Sequence, residues 1–143
     1  PFAPLAAIAG GDPDKLVAKL QSVRQNLVDV EPALGTDPSK VRDAVASALF
    51  PMTIKGYLGD SVKARAVDLK EAGQDEKAGA LKRERLAVLK ALNAVDTYCF
   101  EQQTGKQPSG APPAEVKAQL EAAVSSLDSV ITQAVAAREL LGS

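Results

Sequence analysis

Apolar positions recur with a helical period along four stretches of the chain, roughly 13–30, 38–72, 75–103 and 113–140, and Pro or Gly marks each break between them. In the first stretch Leu16, Leu20, Val23, Leu27 and Val30 follow one another at spacings of four, three, four and three, which is a single seam on one helix face. The start is signalled by Asp12 as cap, Pro13 at the first helical position and Asp14 against the positive end of the helix dipole. Glu31-Pro32 and Gly35 end it, because the residue before a proline avoids the helical region and glycine readily turns left-handed.

Asp37-Pro38 repeats the start signal and opens a second helix with Val41, Val45 and Ala48–Leu49 on one side. Pro51 removes an intrahelical hydrogen bond and crowds the preceding turn, which predicts a kink or break near Phe50. Beyond it Ile54, Leu58, Val62, Arg65–Ala66 and Leu69 restore the stripe as far as Gly73. Gly56 and Gly59 each weaken a helix by about 1 kcal/mol relative to Ala, so their expected use is a close contact beside Tyr57.

The third helix, about Asp75 to Gln103, is expected to turn Leu81, Leu86, Val88, Leu89, Leu92, Val95 and Cys99 inward, with Glu84 and Arg85 outward and Lys90 nearby. A linker follows over Gly105 to Pro113. The fourth helix carries Val116, Leu120, Val124, Leu127, Ile131 and Val135 and ends near Leu140–Leu141–Gly142. Short first and second connections imply antiparallel neighbours. The expected fold is therefore all-α, an up-down-up-down four-helix bundle over 12–143 behind an extended N-terminal arm, 1–11.

Composition says what packs that bundle. Aromatics are only 3% of the 143 residues while 25 are Ala, so burial must come from Leu, Val and closely approaching Ala. One domain of this length buries a core without disulfides or a structural metal. Net charge is −1, without the basic excess that marks nucleic-acid partners. Between Thr53 and Lys90 nine basic residues face six acidic ones, a local net of +3, which leaves −4 for the remainder. Such runs are usually a solvated helix face. The sharper reading is electrostatic docking of one end of the bundle to an acidic surface, through Lys82, Arg83 and Arg85, the densest cluster.

Candidate chemistry is sparse. The chain has no His and no Trp, and no Gly-rich phosphate loop or serine-nucleophile motif occurs. Cys99 has no second cysteine to pair with and falls on the apolar stripe, which predicts a buried thiol rather than a nucleophile. Glu-x-x-His pairs, haem attachment and zinc clusters all need residues that are missing. Asp68–Glu71 and Asp75–Glu76 could bind a cation weakly, but at a helix end such carboxylates are more often capping or solvating. No catalytic, cofactor or metal residue is assigned, and an enzyme working through carboxylates is the weakest of three readings.

The opening run Pro1-Phe2-Ala3-Pro4-Leu5-Ala6-Ala7-Ile8-Ala9 is apolar, interrupted by Pro4 and too short to span a bilayer. The absence of an initial Met is what a processed mature protein or an artificially trimmed chain would show. The run fits the tail of an export signal's apolar region or an extended arm, hinged at Gly10–Gly11, that orders on a partner.

Three stretches of the second half resemble the PsbQ family, the helical extrinsic proteins on the lumenal side of photosystem II. They are Gly56-Tyr57-Leu58-Gly59-Asp60 with the following Val62-Lys63-Ala64-Arg65-Ala66-Val67-Asp68-Leu69, then Leu92-Asn93-Ala94-Val95-Asp96, then Val124-Ser125-Ser126-Leu127-Asp128-Ser129-Val130-Ile131. Their order and spacing, over roughly Ile54 to Val135, also look like the family. The Tyr-Leu-x-Asp spacing, one residue shorter than in plant members, points to an algal relative, the distinct extrinsic subunit of diatoms among them. The resemblance implies a four-helix bundle with a Pro-containing arm and a location on the lumenal face of the chloroplast thylakoid membrane, peripheral and not spanning. It implies docking to the photosystem II core and its other extrinsic subunits, with stabilisation of the oxygen-evolving manganese–calcium centre and its chloride and calcium. The chain would be a non-catalytic monomer when free, holding no cofactor. Tyr57 and Asp60 would be structural, whereas the contacts would come from Pro1, Phe2 and Pro4 of the arm and from Lys63, Lys82, Arg83 and Arg85. The remaining reading is a helical adaptor or assembly factor of another complex, in the thylakoid or elsewhere.

Overall fold

The computed structural model describes residues 10–53 and 56–142. These form α1 (Pro13–Val30), α2 (Pro38–Met52), α3 (Tyr57–Glu71), α4 (Asp75–Gln103) and α5 (Ala114–Gly142), with one 3-10 turn at Glu31–Ala33 and no strand among the described residues. The expected hinge at Gly10–Gly11 is described, both with positive φ, and the rest of the arm lies outside the described residues.

Helix starts follow the caps. Asp12 Oδ1 accepts from the Asp14 backbone N–H at 2.9 Å, and Asp37 Oδ1 accepts from that of Lys40 at 3.1 Å, with Pro13 and Pro38 in the first turns. At the end of α3, Gly73 takes φ +79°, and the Gln74 N–H bonds the Leu69 carbonyl at 2.8 Å while that of Gly73 bonds Lys70 at 3.0 Å. This paired closure satisfies carbonyls the helix itself leaves free. Gly35, at φ +92°, fits a close crossing: its carbonyl accepts from the Gly110 N–H at 3.2 Å, and a Cβ there would stand 2.4 Å from the Gly110 carbonyl oxygen. The linker before α5 is thereby tied down on the α1–α2 turn.

The second amphipathic stretch is two helices. α2 runs through Pro51 and stops one residue later, so the break falls at 53–56, just beyond the Phe50 at which a kink or break is expected. In the last turn the missing proline N–H costs a single bond, and the next helix begins at Tyr57. A Cβ on Gly59 would lie 1.8 Å from the Thr53 carbonyl oxygen, and one on Gly56 would lie 2.4 Å from the carbonyl oxygens of Phe50 and Pro51. Both glycines thus allow the close contact expected of them, here between the start of α3 and the end of α2.

The core is one cluster drawn from all five helices. α1 buries Leu16, Leu20, Val23, Leu27 and Val30, the seam the spacing predicts. α5 buries Val116, Leu120, Ala123, Leu127, Val130, Ala134 and Ala137, alternating by four and three. This corrects the expected stripe there: Val124, Ile131 and Val135 flank the core half-buried while alanines occupy its centre. Small side chains on a heptad-like seam let helix axes approach closely. On α4 the buried seam is Leu81, Arg85, Val88, Leu92, Val95 and Cys99. Leu86 was expected inward and is instead 58% exposed, because it lies about 100° round the helix from position 85.

Three ion pairs and one side-chain-to-backbone hydrogen bond show the pairing direction. Arg24 bonds Asp128 and Arg138 Nε lies 3.6 Å from Asp14, so α1 and α5 run antiparallel. Arg42 Nε donates to Asp96 Oδ1 at 3.0 Å near one end of α2, and Arg85 meets Met52 at the other, so α2 and α4 also run antiparallel. The Arg65 side chain, 1% exposed, donates from Nε to Asp68 Oδ2 at 2.7 Å and from Nη1 to the Gly11 carbonyl at 3.0 Å. That fastens the segment before α1 to α3, with Arg65 on the stripe where the sequence puts it.

Candidate functional site

Of the seven residues expected to meet a partner, Pro1, Phe2 and Pro4 lie outside the described residues. Lys63 is exposed on α3, and Lys82 and Arg83 are exposed on α4. Arg85 overturns its expected outward position: it is only 9% exposed, because it sits in phase with Leu81, Val88 and Leu92 on the core seam. Its Nε donates to the Met52 carbonyl at 2.9 Å, one of the last carbonyls of α2, which have no intrahelical donor. No carboxylate pairs with it among the described residues, and burial pulls its pKa below the usual arginine value. Arg85 is thus a clamp on the α2–α3 bend and supplies no direct surface contact.

Two exposed apolar side chains lie close in sequence to the two ends of that clamp. Phe50, two residues before Met52, is 73% exposed, and Leu86, next to Arg85, is 58% exposed. On a helix the neighbours of position 86 are 82, 83, 89 and 90, so Leu86 stands among the exposed Lys82, Arg83 and Lys90 and the half-buried Leu89. Further along α4 the Arg42 guanidinium carbon lies 5.0 Å from the centre of the Phe100 ring, and Arg42 Nη1 donates to Gln103 Oε1 at 2.9 Å. The hydrogen bond to Asp96 leads the influences that raise the Arg42 pKa. Between α2 and α4 runs a groove of about 360 Å³ lined in part by Arg42, Asp43, Leu49, Phe50 and Asp96.

Sequence reasoning missed Phe50 and Leu86. The signal was present for Leu86, since 81, 85, 88, 92, 95 and 99 form an unbroken alternation of four and three that excludes it. For Phe50 there was none, because its exposure depends on how the chain turns after Pro51.

Elsewhere the chemistry is quiet. A groove of about 460 Å³ between α4 and α5 is lined by Asn93, Thr97, Tyr98, Glu101, Glu115 and Gln119 among others. Cys99 is fully buried, and that burial pushes its thiol pKa up to about 11. Among the described residues no group of three or more His, Cys, Asp or Glu is placed to hold a metal ion, and no helix is long and apolar enough to cross a membrane. Comparison with protein-family models, curated proteins and solved structures finds no match to the chain.

Proposed function

We propose that this chain is a non-catalytic extrinsic subunit of photosystem II of the PsbQ-like kind, docked on the lumenal face of the thylakoid membrane. In this reading it is an up-down-up-down four-helix bundle whose second helix is broken into α2 and α3. The observation that carries the proposal is the likeness of Gly56–Asp60, Leu92–Asp96 and Val124–Ile131 to that family, in the family's order and spacing. The positions of these stretches support it. Gly56 and Gly59 press against the backbone of Phe50–Thr53, Leu92 and Val95 are fully buried beside the Asp96–Arg42 pair, and Leu127 and Val130 are core residues. In each stretch these buried or closely packed positions are constrained by packing, whereas Tyr57 and Asp60, expected to be structural, are exposed.

A subunit of this kind acts by cover. Seated over lumenal loops, it slows exchange of chloride and calcium between the manganese–calcium centre and bulk water, and the redox chemistry stays with the complex beneath. Affinity capture from solubilised thylakoids tests the assignment: recovery of photosystem II core and extrinsic subunits is the expected result. Recovery of a soluble partner, or of another thylakoid complex without photosystem II, would favour the adaptor reading instead.

A further inference from the structure

The α2–α3 bend and the adjoining face of α4 carry exposed apolar side chains and cations without a carboxylate partner among the described residues. Among exposed large hydrophobic side chains without a polar atom, Phe50 at 73% and Leu86 at 58% are the two most accessible. Both lie within one helical turn of the Arg85–Met52 hydrogen bond, which fixes where the end of α2 crosses α4. Lys82, Arg83 and Lys90 surround Leu86, and none has a carboxylate partner among the described residues, whereas Arg24, Arg42, Arg65 and Arg138 all do. Beneath them Arg85 adds a positive charge that no carboxylate offsets.

We propose that Phe50 and Leu86, with Lys82, Arg83 and Lys90 around Leu86, form the docking surface for an acidic protein segment that presents an apolar side chain between its carboxylates. The inference rests on the photosystem II reading and names the face that meets the complex. An exposed apolar pair gains from burial at an interface, and apolar anchors with a charged rim are the usual division between affinity and steering. Unpaired surface cations give up little when they meet a partner's carboxylates, since they break no existing ion pair.

A protein segment fits this face better than an anionic bilayer. Asp43, exposed, and Asp96, half-buried, line the groove beside Phe50, and a uniformly negative surface would be pressed against both. A polypeptide can place its carboxylates opposite α4 and its apolar side chain at the groove. The concave line between α2 and α4 also suits a chain more than a plane.

The test uses photosystem II membranes washed free of extrinsic subunits, with binding of the full chain measured for the parent and for Phe50→Ser/Leu86→Ser. Both side chains are exposed, so the melting temperature and helical circular dichroism should be preserved. The dissociation constant should rise roughly tenfold or more, as expected when two interface anchors are lost. Val67→Ser, 46% exposed on α3, is the control and should bind like the parent. Lys82→Gln/Lys90→Gln should weaken binding and flatten its dependence on salt. A double serine variant that binds as tightly as the parent overturns the proposal while leaving the photosystem II reading intact. A parent that does not bind overturns both. Parent binding to phosphatidylglycerol vesicles but not phosphatidylcholine vesicles, lost in the double serine variant, would reassign the face to lipid.

Discussion

Arg85 and Cys99 stand on the same seam of α4 and show how position decides what a side chain does. Cys99 is fully buried, and its thiol titrates near 11 when folded against 9.0 for an unperturbed thiol. Between those values the unfolded chain has lost the proton and the folded chain has kept it, so stability falls as pH rises. The contribution is whole below pH 9.0 and is lost through about 11; its size is on the order of 2 kcal/mol. Urea midpoints measured across that range should fall more steeply for the parent than for Cys99→Ala, and parallel profiles would contradict the assignment. The burial of Cys99 was legible in the sequence because it is apolar and in phase. That of Arg85 was not, because a cation is read first as a charge and only then as a position. The burial of Arg65 was legible too, its place on the stripe being plain between Val62 and Leu69.

At the scale of elements, two glycines in helices behave oppositely. Gly59 has the Thr53 carbonyl 1.8 Å from where a Cβ would sit, whereas Gly79, exposed in α4, has nothing within 4 Å. Gly59→Ala should therefore destabilise by about 1–3 kcal/mol or more through backbone displacement at the bend. Gly79→Ala should stabilise by about 0.5–1 kcal/mol through helix propensity alone. Equal effects in denaturant titrations would remove the argument that the bend, rather than propensity, holds Gly59. Leu92 and Leu127 are fully buried, and replacing either by Ala should cost about 2–5 kcal/mol. A loss well below 1 kcal/mol at either site would mean that the core is looser than the packing indicates. The helices themselves were legible from period, caps and breaks. The phase of α5 was not, because weighting by hydrophobicity favours Val124, Ile131 and Val135 over the alanines that make room for a neighbouring helix. Pro51 announced a break, but how the chain turns beyond it depends on two glycines meeting backbone carbonyls, a contact no period records.

Over the whole molecule, paired and unpaired charges divide the work. Arg24–Asp128 and Arg138–Asp14 are exposed ties between α1 and α5, a class of contact worth at most about 1 kcal/mol each. Lys82 and Arg83 make no such tie among the described residues and are free to meet a partner. Lys82→Glu with Arg83→Glu should lower association with photosystem II and leave the melting curve unchanged. The parent's own binding should weaken with salt as the screening length shrinks from about 10 Å at 0.1 M to about 3 Å at 1 M. Binding unaltered by the charge reversal would move the contact to another face. The sequence carried the all-helical class and the charge asymmetry; the apolar half of the docking surface emerged only when the chain was folded, because it is a meeting of two helices at a bend. The most direct measurement of the central claim is rebinding of the purified chain to photosystem II stripped of extrinsic subunits, with oxygen evolution followed at low chloride and calcium. Saturable binding that is released by salt and restores oxygen evolution is the predicted result, and a chain that neither binds nor restores activity would contradict it.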